Sequence, residues 1–329
     1  MRTKYILQIL PLLFLVVGLT SCSKEEVTPI NEPKEYNVSL KFNGEITTAD
    51  SPLTRGTATN DLIGVQVYQN GEAYAHGLFD NVEDININLL SEHKYKFVVT
   101  VIKDGKIIMS PDSYSYINSY GTYSYPFYVY IGYSNGKVSG TSNPKLTNSF
   151  NYGSIDLKHL GSGCTKINGE EINYPETDRF YGEVDNYTPT ENGSLTIDLK
   201  RTAFGLKYEV SGVTDGTISV KIANSSRTFF KNTAITSEYE SEEKIFTFYD
   251  VYSAWLYADN YTESITVSAS WARGVGITQD LGSKTVQIKR NAMNVIRLKL
   301  GSVDYDGNIG IEVEEETDMD EETVIGTLE

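Results

Sequence analysis

Apolar and polar residues alternate along most of this chain. In Tyr36-Asn37-Val38-Ser39-Leu40-Lys41-Phe42 every even position is apolar. A period of two belongs to a strand with one buried face. The same signal recurs at 62–68, 85–89, 95–102, 123–133, 195–199, 204–210, 218–222, 245–249, 265–271, 286–288 and 295–300, and predicts a strand at each. Between the runs lie Asn43-Gly44, Asn70-Gly71, Asp104-Gly105, Asn135-Gly136, Asn168-Gly169, Asn192-Gly193, Asp215-Gly216 and Asp306-Gly307. Such pairs tolerate the positive φ angles of tight hairpin turns. The clearest hairpin is 97–103, Asp104-Gly105, then 106–109. A helical period is nearly absent, and only Tyr249 to Leu256 reads as a short turn or helix. Many short strands separated by tight turns predict packed antiparallel sheets, an all-β fold.

Composition shifts divide the chain. Residues 140–177 are rich in Gly, Asn, Ser and Thr, which places a boundary near Asp178. The expected units are an N-terminal β-sandwich over 36–177 and a C-terminal β-sandwich over 178–301, each of ordinary domain size. An extended acidic tail follows over 302–329, with eight acidic residues among the eleven from Glu312 to Glu322. Repulsion within that run disfavours a packed helix or sheet without a partner. Ile309, Ile311 and Val313 alternate just before the run, and Val324 and Ile325 follow it. The tail reads either as an extended segment with strand potential or as a frayed terminus.

The chain opens differently. Arg2 and Lys4 precede an apolar stretch from Ile6 to Leu19, interrupted by Gln8, Pro11 and Gly18. A spanning helix needs about 20 apolar residues, so the stretch has the layout of an export signal. Leu19-Thr20-Ser21-Cys22 resembles the bacterial lipobox, whose cysteine receives lipid. Residues 1–21 are then a lipoprotein signal peptide. Cys22 carries the acyl chains, and 22–35, with Pro29 and Pro33, is a tether. Each buried methylene contributes about 0.8 kcal/mol, and more than one chain anchors stably. The expectation is a protein anchored to a membrane and not spanning it.

Charge and chemistry narrow the function. The net charge is −16 at pH 7, against the basic footprint that nucleic-acid binding requires. Cys164 is the only cysteine besides Cys22, so with Cys22 acylated no intrachain disulfide forms. His76, His93 and His159 are scattered without metal-ligand spacing. Gly132-Tyr133-Ser134-Asn135-Gly136 has the spacing of a hydrolase nucleophile elbow, but that motif needs a helix after the turn; Lys137-Val138-Ser139-Gly140 cannot start one well, and the motif reads as a hairpin turn. Asp304-Tyr305-Asp306-Gly307-Asn308 alternates oxygen ligands, yet position six is Ile309 and not the glycine of a calcium loop. No catalytic residue, metal or cofactor is expected. Tyr114, Tyr116, Tyr120, Tyr123, Tyr125, Tyr128, Tyr130 and Tyr133 cluster within twenty residues. They fit ordinary sheet packing. Exposed rings of Tyr123, Tyr125, Tyr128 and Tyr130 would instead form a ligand platform for sugars or a protein.

Several segments together resemble the fimbrillin-type (FimA/Mfa-like) lipoproteins of Bacteroidetes, the subunits of type V pili. These are the lipobox, the first strand 36–42, the polar arginine loop Ser51-Pro52-Leu53-Thr54-Arg55-Gly56-Thr57, the strand Asp61 to Tyr68, and Leu199 to Val210. Ser23-Lys24-Glu25-Glu26 is similar to a surface-export signal of lipoproteins in that phylum. The resemblance implies two tandem antiparallel, transthyretin-like β-sandwiches. It implies outer-membrane attachment through lipid and cleavage between Arg55 and Gly56 by a trypsin-like protease. The first strand, with Val38, Leu40 and Phe42, would leave a groove. An extended tail from another pilus-type subunit, carrying residues such as Ile309, Ile311, Val313, Val324 and Ile325, would fill it. Such a protein is a non-catalytic structural, anchor or accessory subunit, with a host or bacterial surface ligand as a further partner. The alternative is a surface glycan-binding lipoprotein built on the tyrosine platform.

Overall fold

The computed structural model describes residues 33–47, 61–105, 116–118, 121–123, 128–134, 137–142, 146–158, 166–167, 170–171, 177–224, 228–273, 276, 278–300 and 310–318. The chain is nearly all β. Strands are numbered in chain order. An eight-stranded sheet runs β10 (Ser149–Tyr152), β3 (Glu72–Phe79), β2 (Leu62–Gln69), β5 (Tyr95–Ile102), β14 (Arg179–Tyr187), β15 (Gly193–Arg201), β1 (Glu35–Gly44), β4 (Asn86–Leu90). A second sheet runs β19 (Tyr239–Glu240), β16 (Ala203–Ser211), β23 (Ala292–Lys299), β24 (Gly310–Asp318), with β20 (Lys244–Thr247) also on β16. A four-stranded sheet runs β18 (Thr228–Ile235), β17 (Thr217–Ala223), β21 (Thr262–Ala272), β22 (Thr278–Lys289). The smaller groups are β11 (Ser154–Asp156), β8 (Tyr128–Ser134), β9 (Lys137–Ser142); β6 (Tyr116–Asn118) with β7 (Gly121–Tyr123); and β12 (Lys166–Ile167) with β13 (Glu170–Glu171).

Two cores follow from these sheets. Val38 and Leu40 of β1, Ile87 and Leu89 of β4, and Ile197 and Leu199 of β15 share one buried cluster with Ile63, Val65 and Val67 of β2 and Phe97, Val99 and Val101 of β5. These residues come from both ends of a single sheet, so the sheet folds over on itself. The fold lies at β14–β15, where only Phe180↔Arg201 and Tyr181↔Lys200 stand in register. Buried Tyr95 ties the layers: its hydroxyl accepts from Leu90 N at 3.0 Å and from Gln69 Nε2 at 3.1 Å. The second core gathers Phe204, Leu206 and Tyr208 of β16 with Ile218, Val220 and Ile222 of β17, Ile265 and Val267 of β21, and Ile296 and Leu298 of β23. In each core one pair of strands is parallel, β1 with β15 and β16 with β23.

The first sheet extends past residue 178 in sequence. β14 pairs with β5 and β15 pairs with β1, so residues 179–201 complete the first sheet. The strands on either side of Thr202, β15 and β16, belong to different sheets. The Gly-rich stretch that suggested 177/178 lies before the last two strands of the first sheet and not after them. Thr202 spans the junction: its N–H donates to Arg179 O at 2.7 Å and its carbonyl accepts from Phe248 N at 3.1 Å.

A helix reinforces the junction. α1 (Val251–Tyr257) fills the place of the expected short turn or helix. Asp250 caps it, accepting from Ser253 N at 2.9 Å, a common N-terminal arrangement. Its Val251 joins Leu62, Leu78, Val98, Ile102 and Tyr181 in a third cluster on the outer face of the first sheet, with Tyr252 and Trp255 packed against it. The Tyr181 and Trp255 rings meet edge-on at 5.6 Å. A strand covered on both faces loses its alternation, which is why β2 reads as a continuous buried run from Leu62 to Val67.

Local turn chemistry is partly as expected. Asn70 (φ 51°) and Gly71 (φ 90°) form the β2–β3 hairpin turn. Asp104 also has positive φ, 53°, but the second arm of that hairpin, 106–109, lies outside the described residues. Asn43-Gly44 does not turn a hairpin. Gly44 (φ 89°) ends β1 and leads into a 3-10 turn, Glu45–Thr47. A side chain there would sit 2.6 Å from Leu199 O, so only glycine fits. The acidic run was expected to resist a sheet without a partner, yet Gly310–Asp318 pairs antiparallel with β23 as an edge strand. The register sets Arg297 opposite Glu312, and opposite charges across a pair favour it.

His76 lies buried in β3 with no hydrogen-bond partner on Nδ1 among the described residues. Burial pulls its pKa below the ordinary histidine value, partly offset by a backbone hydrogen bond with Gly153. The unfolded chain therefore takes up this proton at higher pH than the folded one, and stability is lost as pH falls below about 6.5. Urea melts between pH 7.5 and 5.5 should show this decline, and His76→Gln should flatten it. A wild-type stability independent of pH over that window contradicts the assignment.

Candidate functional site

β1 is the site that the rest of the first core is arranged around. It lies inside a layer. On one side it pairs in parallel with β15, from Val38↔Gly193 to Gly44↔Leu199. On the other it pairs antiparallel with β4, from Glu35↔Leu90 to Ser39↔Asn86. Leu40 N donates to Ile85 O at 3.2 Å just beyond that ladder. Val38 is fully buried and Leu40 is 3% exposed, while Phe42 is only partly buried against the core. Ile46, in the turn after the strand, is buried in the same core. Polar side chains hold the outer face. Asn37 Nδ2 donates to Asn88 Oδ1 at 2.8 Å, and Asn43 Nδ2 donates to Asp198 Oδ1 at 3.2 Å.

The end of β1 is fastened by charge. Glu45 Oε2 accepts from Arg290 Nη1 at 2.7 Å and from Arg201 N at 2.6 Å, and its Oε1 accepts from Arg290 Nη2 at 3.0 Å. Arg290 Nη1 also donates to Arg201 O at 2.7 Å, and Nη2 donates to Asp259 Oδ1 at 3.0 Å. The Arg290 side chain is 3% exposed, that of Glu45 30% and that of Asp259 92%, so Glu45 is the more sheltered of its two carboxylates. A two-pronged arginine–carboxylate contact is among the stronger charged hydrogen bonds. Beside it Arg201 Nε and Nη2 donate to Asp178 at 2.8 and 2.6 Å. Thus the strand's end is bound to the turn between β22 and β23.

The sequence-predicted residues fall as follows. Val38, Leu40 and Phe42 come together in β1. Ile311 and Val313 lie in β24, on the other core's sheet. Cys22, Arg55, Gly56, Ile309, Val324, Ile325, Tyr125, Cys164 and the segment 304–308 lie outside the described residues, and the side chains of Tyr123, Tyr128 and Tyr130 do as well. β8 and β9 pair directly through Ser134↔Lys137, so a strand and not a helix follows the elbow-like motif. Among the described residues no cluster of acidic, histidine or cysteine side chains could hold a metal ion. Sequence reasoning missed Glu45, Arg201 and Arg290. Glu45 and Arg290 are 245 positions apart, and no local pattern links them.

A second concavity, an open cleft of about 650 Å³, is lined by Tyr68, Asn70, Lys94, Lys96, Lys158 and Asp185 among others. Its charges are largely matched internally. Lys96 bridges Glu183 and Asp185, and Lys158 approaches Glu183 at 3.7 Å. Burial opposes the Lys96 ammonium, but the hydrogen bond and charge of Glu183, with Asp185, hold its pKa above the ordinary lysine value. Burial, then Asp156, raises the Tyr68 hydroxyl. Neither group is poised to exchange a proton near neutral pH.

No protein-family model matches the chain. No curated protein matches it either. Solved structures do show similarity. A protein assigned as an adhesin from Bacteroides thetaiotaomicron VPI-5482 aligns at 10% identity over 86% of this chain and 97% of that one, with a TM-score of 0.40. The fimbrial anchor protein Mfa2 from Porphyromonas gingivalis aligns at 12% identity, over 85% and 97%, with a TM-score of 0.37. A fimbrial assembly protein from Parabacteroides distasonis ATCC 8503 aligns at 13%, over 86% and 99%, with 0.34. These neighbours are fimbrial and adhesin proteins. A likeness of this depth carries no functional argument by itself.

The buried face of β1 sets a measurable cost. Leu40→Ala should lower stability by about 2–5 kcal/mol in urea unfolding. Lys41→Ala, on the exposed side of the same strand, should stay within about 0.5 kcal/mol. Equal effects at the two positions contradict the strand's orientation.

Proposed function

We propose that this chain is a non-catalytic, lipid-anchored surface subunit of the pilus type, which assembles by exchanging its first strand. One observation carries the reading: β1 is both the first strand of the described chain and an inner strand of a layer. Strands inside a layer are normally trapped between their neighbours' connections. Among the described residues β1 joins the rest of the fold at one end alone, toward the segment 48–60, which contains Arg55. A single cut there frees the strand and leaves every later element connected.

The consequence is a slot. Its edges are the unpaired hydrogen-bonding groups of β15 and β4, and its floor is the apolar cluster that Val38 and Leu40 vacate. An extended peptide fits such a slot by strand addition, with main-chain bonds giving affinity and alternate side chains giving selectivity. Refilling it with two or three apolar side chains contributes about 1.5–3 kcal/mol each. The donor is the alternating tail of another subunit, and Cys22 holds the uncut protein at the outer membrane. Without the cut, the lipid stays attached and the chain serves as an anchor or accessory subunit.

The test is proteolysis of the purified full chain by a trypsin-like enzyme, followed by N-terminal sequencing and denaturant-free gel analysis. A new terminus at Gly56 together with an oligomer ladder is the expected outcome. Asn37 and Asn88 stand opposite each other, so Asn37→Cys with Asn88→Cys should form a disulfide that blocks the ladder until it is reduced. Resistance at Arg55 with a permanently monomeric product, or a ladder unaffected by the lock, overturns the reading.

A further inference from the structure

The clamp on Glu45 points to how the slot chooses its occupant, and the inference rests on the exchange reading above. Glu45 lies before residues 48–60, so a cut in that segment carries it away with β1. What stays behind is Arg290, buried, with two of its donors emptied and Nε without a partner among the described residues. Its remaining carboxylate, Asp259, is exposed and makes one bond. The Arg201 N–H loses its acceptor as well. A guanidinium reduced to Arg201 O and the exposed Asp259, and an N–H that has lost its carboxylate, are costly to cover with an apolar peptide. An apolar peptide fills the floor of the slot but leaves this end unsatisfied.

We propose that the Arg290 guanidinium and the Arg201 N–H form a carboxylate socket at the end of the β1 slot, filled by Glu45 in the intact chain and by the Glu314–Glu316 run of a second copy after exchange. The spacing supports that occupant. In β1 the apolar positions Val38, Leu40 and Phe42 are followed by the carboxylate three residues after Phe42. In the tail Ile309, Ile311 and Val313 are followed by Glu314, Glu315 and Glu316, with Glu316 three residues after Val313. A donor that runs in the direction of β1 keeps both the parallel bond pattern to β15 and the antiparallel pattern to β4. The positive φ at Gly44 belongs to a position where a side chain meets Leu199 O. A donor with glutamate there takes a straighter path at this point, and three consecutive carboxylates present one to the socket on either path. The acidic run, at odds with a plain apolar donor strand, thereby acquires a role. β24 is an edge strand, bonded along one side by β23, so its release disturbs a single ladder.

Two synthetic peptides test this on protease-treated full chain: residues 307–318, and the same peptide with Glu314, Glu315 and Glu316 replaced by Gln. The acidic peptide should bind at least about tenfold more tightly, the factor expected from losing one charged hydrogen-bond pair. In the uncut chain, Glu45→Gln should lower Tm by about 5 °C or more and speed the loss of β1 after the cut. Equal binding of the two peptides overturns the socket and leaves strand exchange standing. Binding of neither peptide overturns strand exchange, and the second-copy occupant falls with it. An unchanged Tm for Glu45→Gln overturns the clamp itself.

Discussion

A strand inside a layer must satisfy two rows of backbone hydrogen bonds at once, and β1 does so with neighbours of opposite direction. Its parallel ladder to β15 and its antiparallel ladder to β4 hold three strands together that are joined to the second layer by strand pairing only through the short β14–β15 corner. The first core is closed by that arrangement. Val38 and Leu40 complete an apolar cluster that draws on every major strand of the folded-over sheet. The connection of β1 at one end gives this structural necessity its functional meaning, since the element that closes the core is also the one most simply detached.

The two cores are built on a shared plan. Each has one parallel pair, and in each the first strand after the junction or the tether lies parallel beside a strand from late in its unit. They are joined by more than a linker. α1, which belongs in chain order to the second half, covers the outer face of the first sheet. Around Thr202 a polar seam links Arg179, Arg201, Glu45, Thr247 and Arg290. Buried ion pairs contribute little net stability because desolvation offsets attraction. Their effect here is positional: the end of β1 is registered against the β22–β23 turn of the other half.

Much of this was legible from alternation. β1, β15, β17 and β21 each bury one face and expose the other, and the period of two appears in their residues. β3, β14 and β18 were not read. β3 carries Ala73, Ala75 and Gly77 in place of branched apolar residues, and β14 includes Arg179, Gly182 and Glu183. Arg179 is fully buried, which hydrophobic patterning counts as an outside residue; Thr100 Oγ1 and Leu157 O accept from it. β14 and β15 follow residue 178 in sequence and pair into the first sheet. The apolar half of the candidate site, Val38, Leu40 and Phe42, was visible because it is local. The charged half was not, because an ion pair between Glu45 and Arg290 leaves no periodic trace in either segment.

The most direct measurement is an experimental structure of the protease-treated, assembled protein. The account predicts that residues 36–44 are gone and that a segment from a neighbouring copy lies between β15 and β4, with a carboxylate at Arg290. Finding residues 38–44 still in place, or β15 and β4 closed directly on each other, would contradict it.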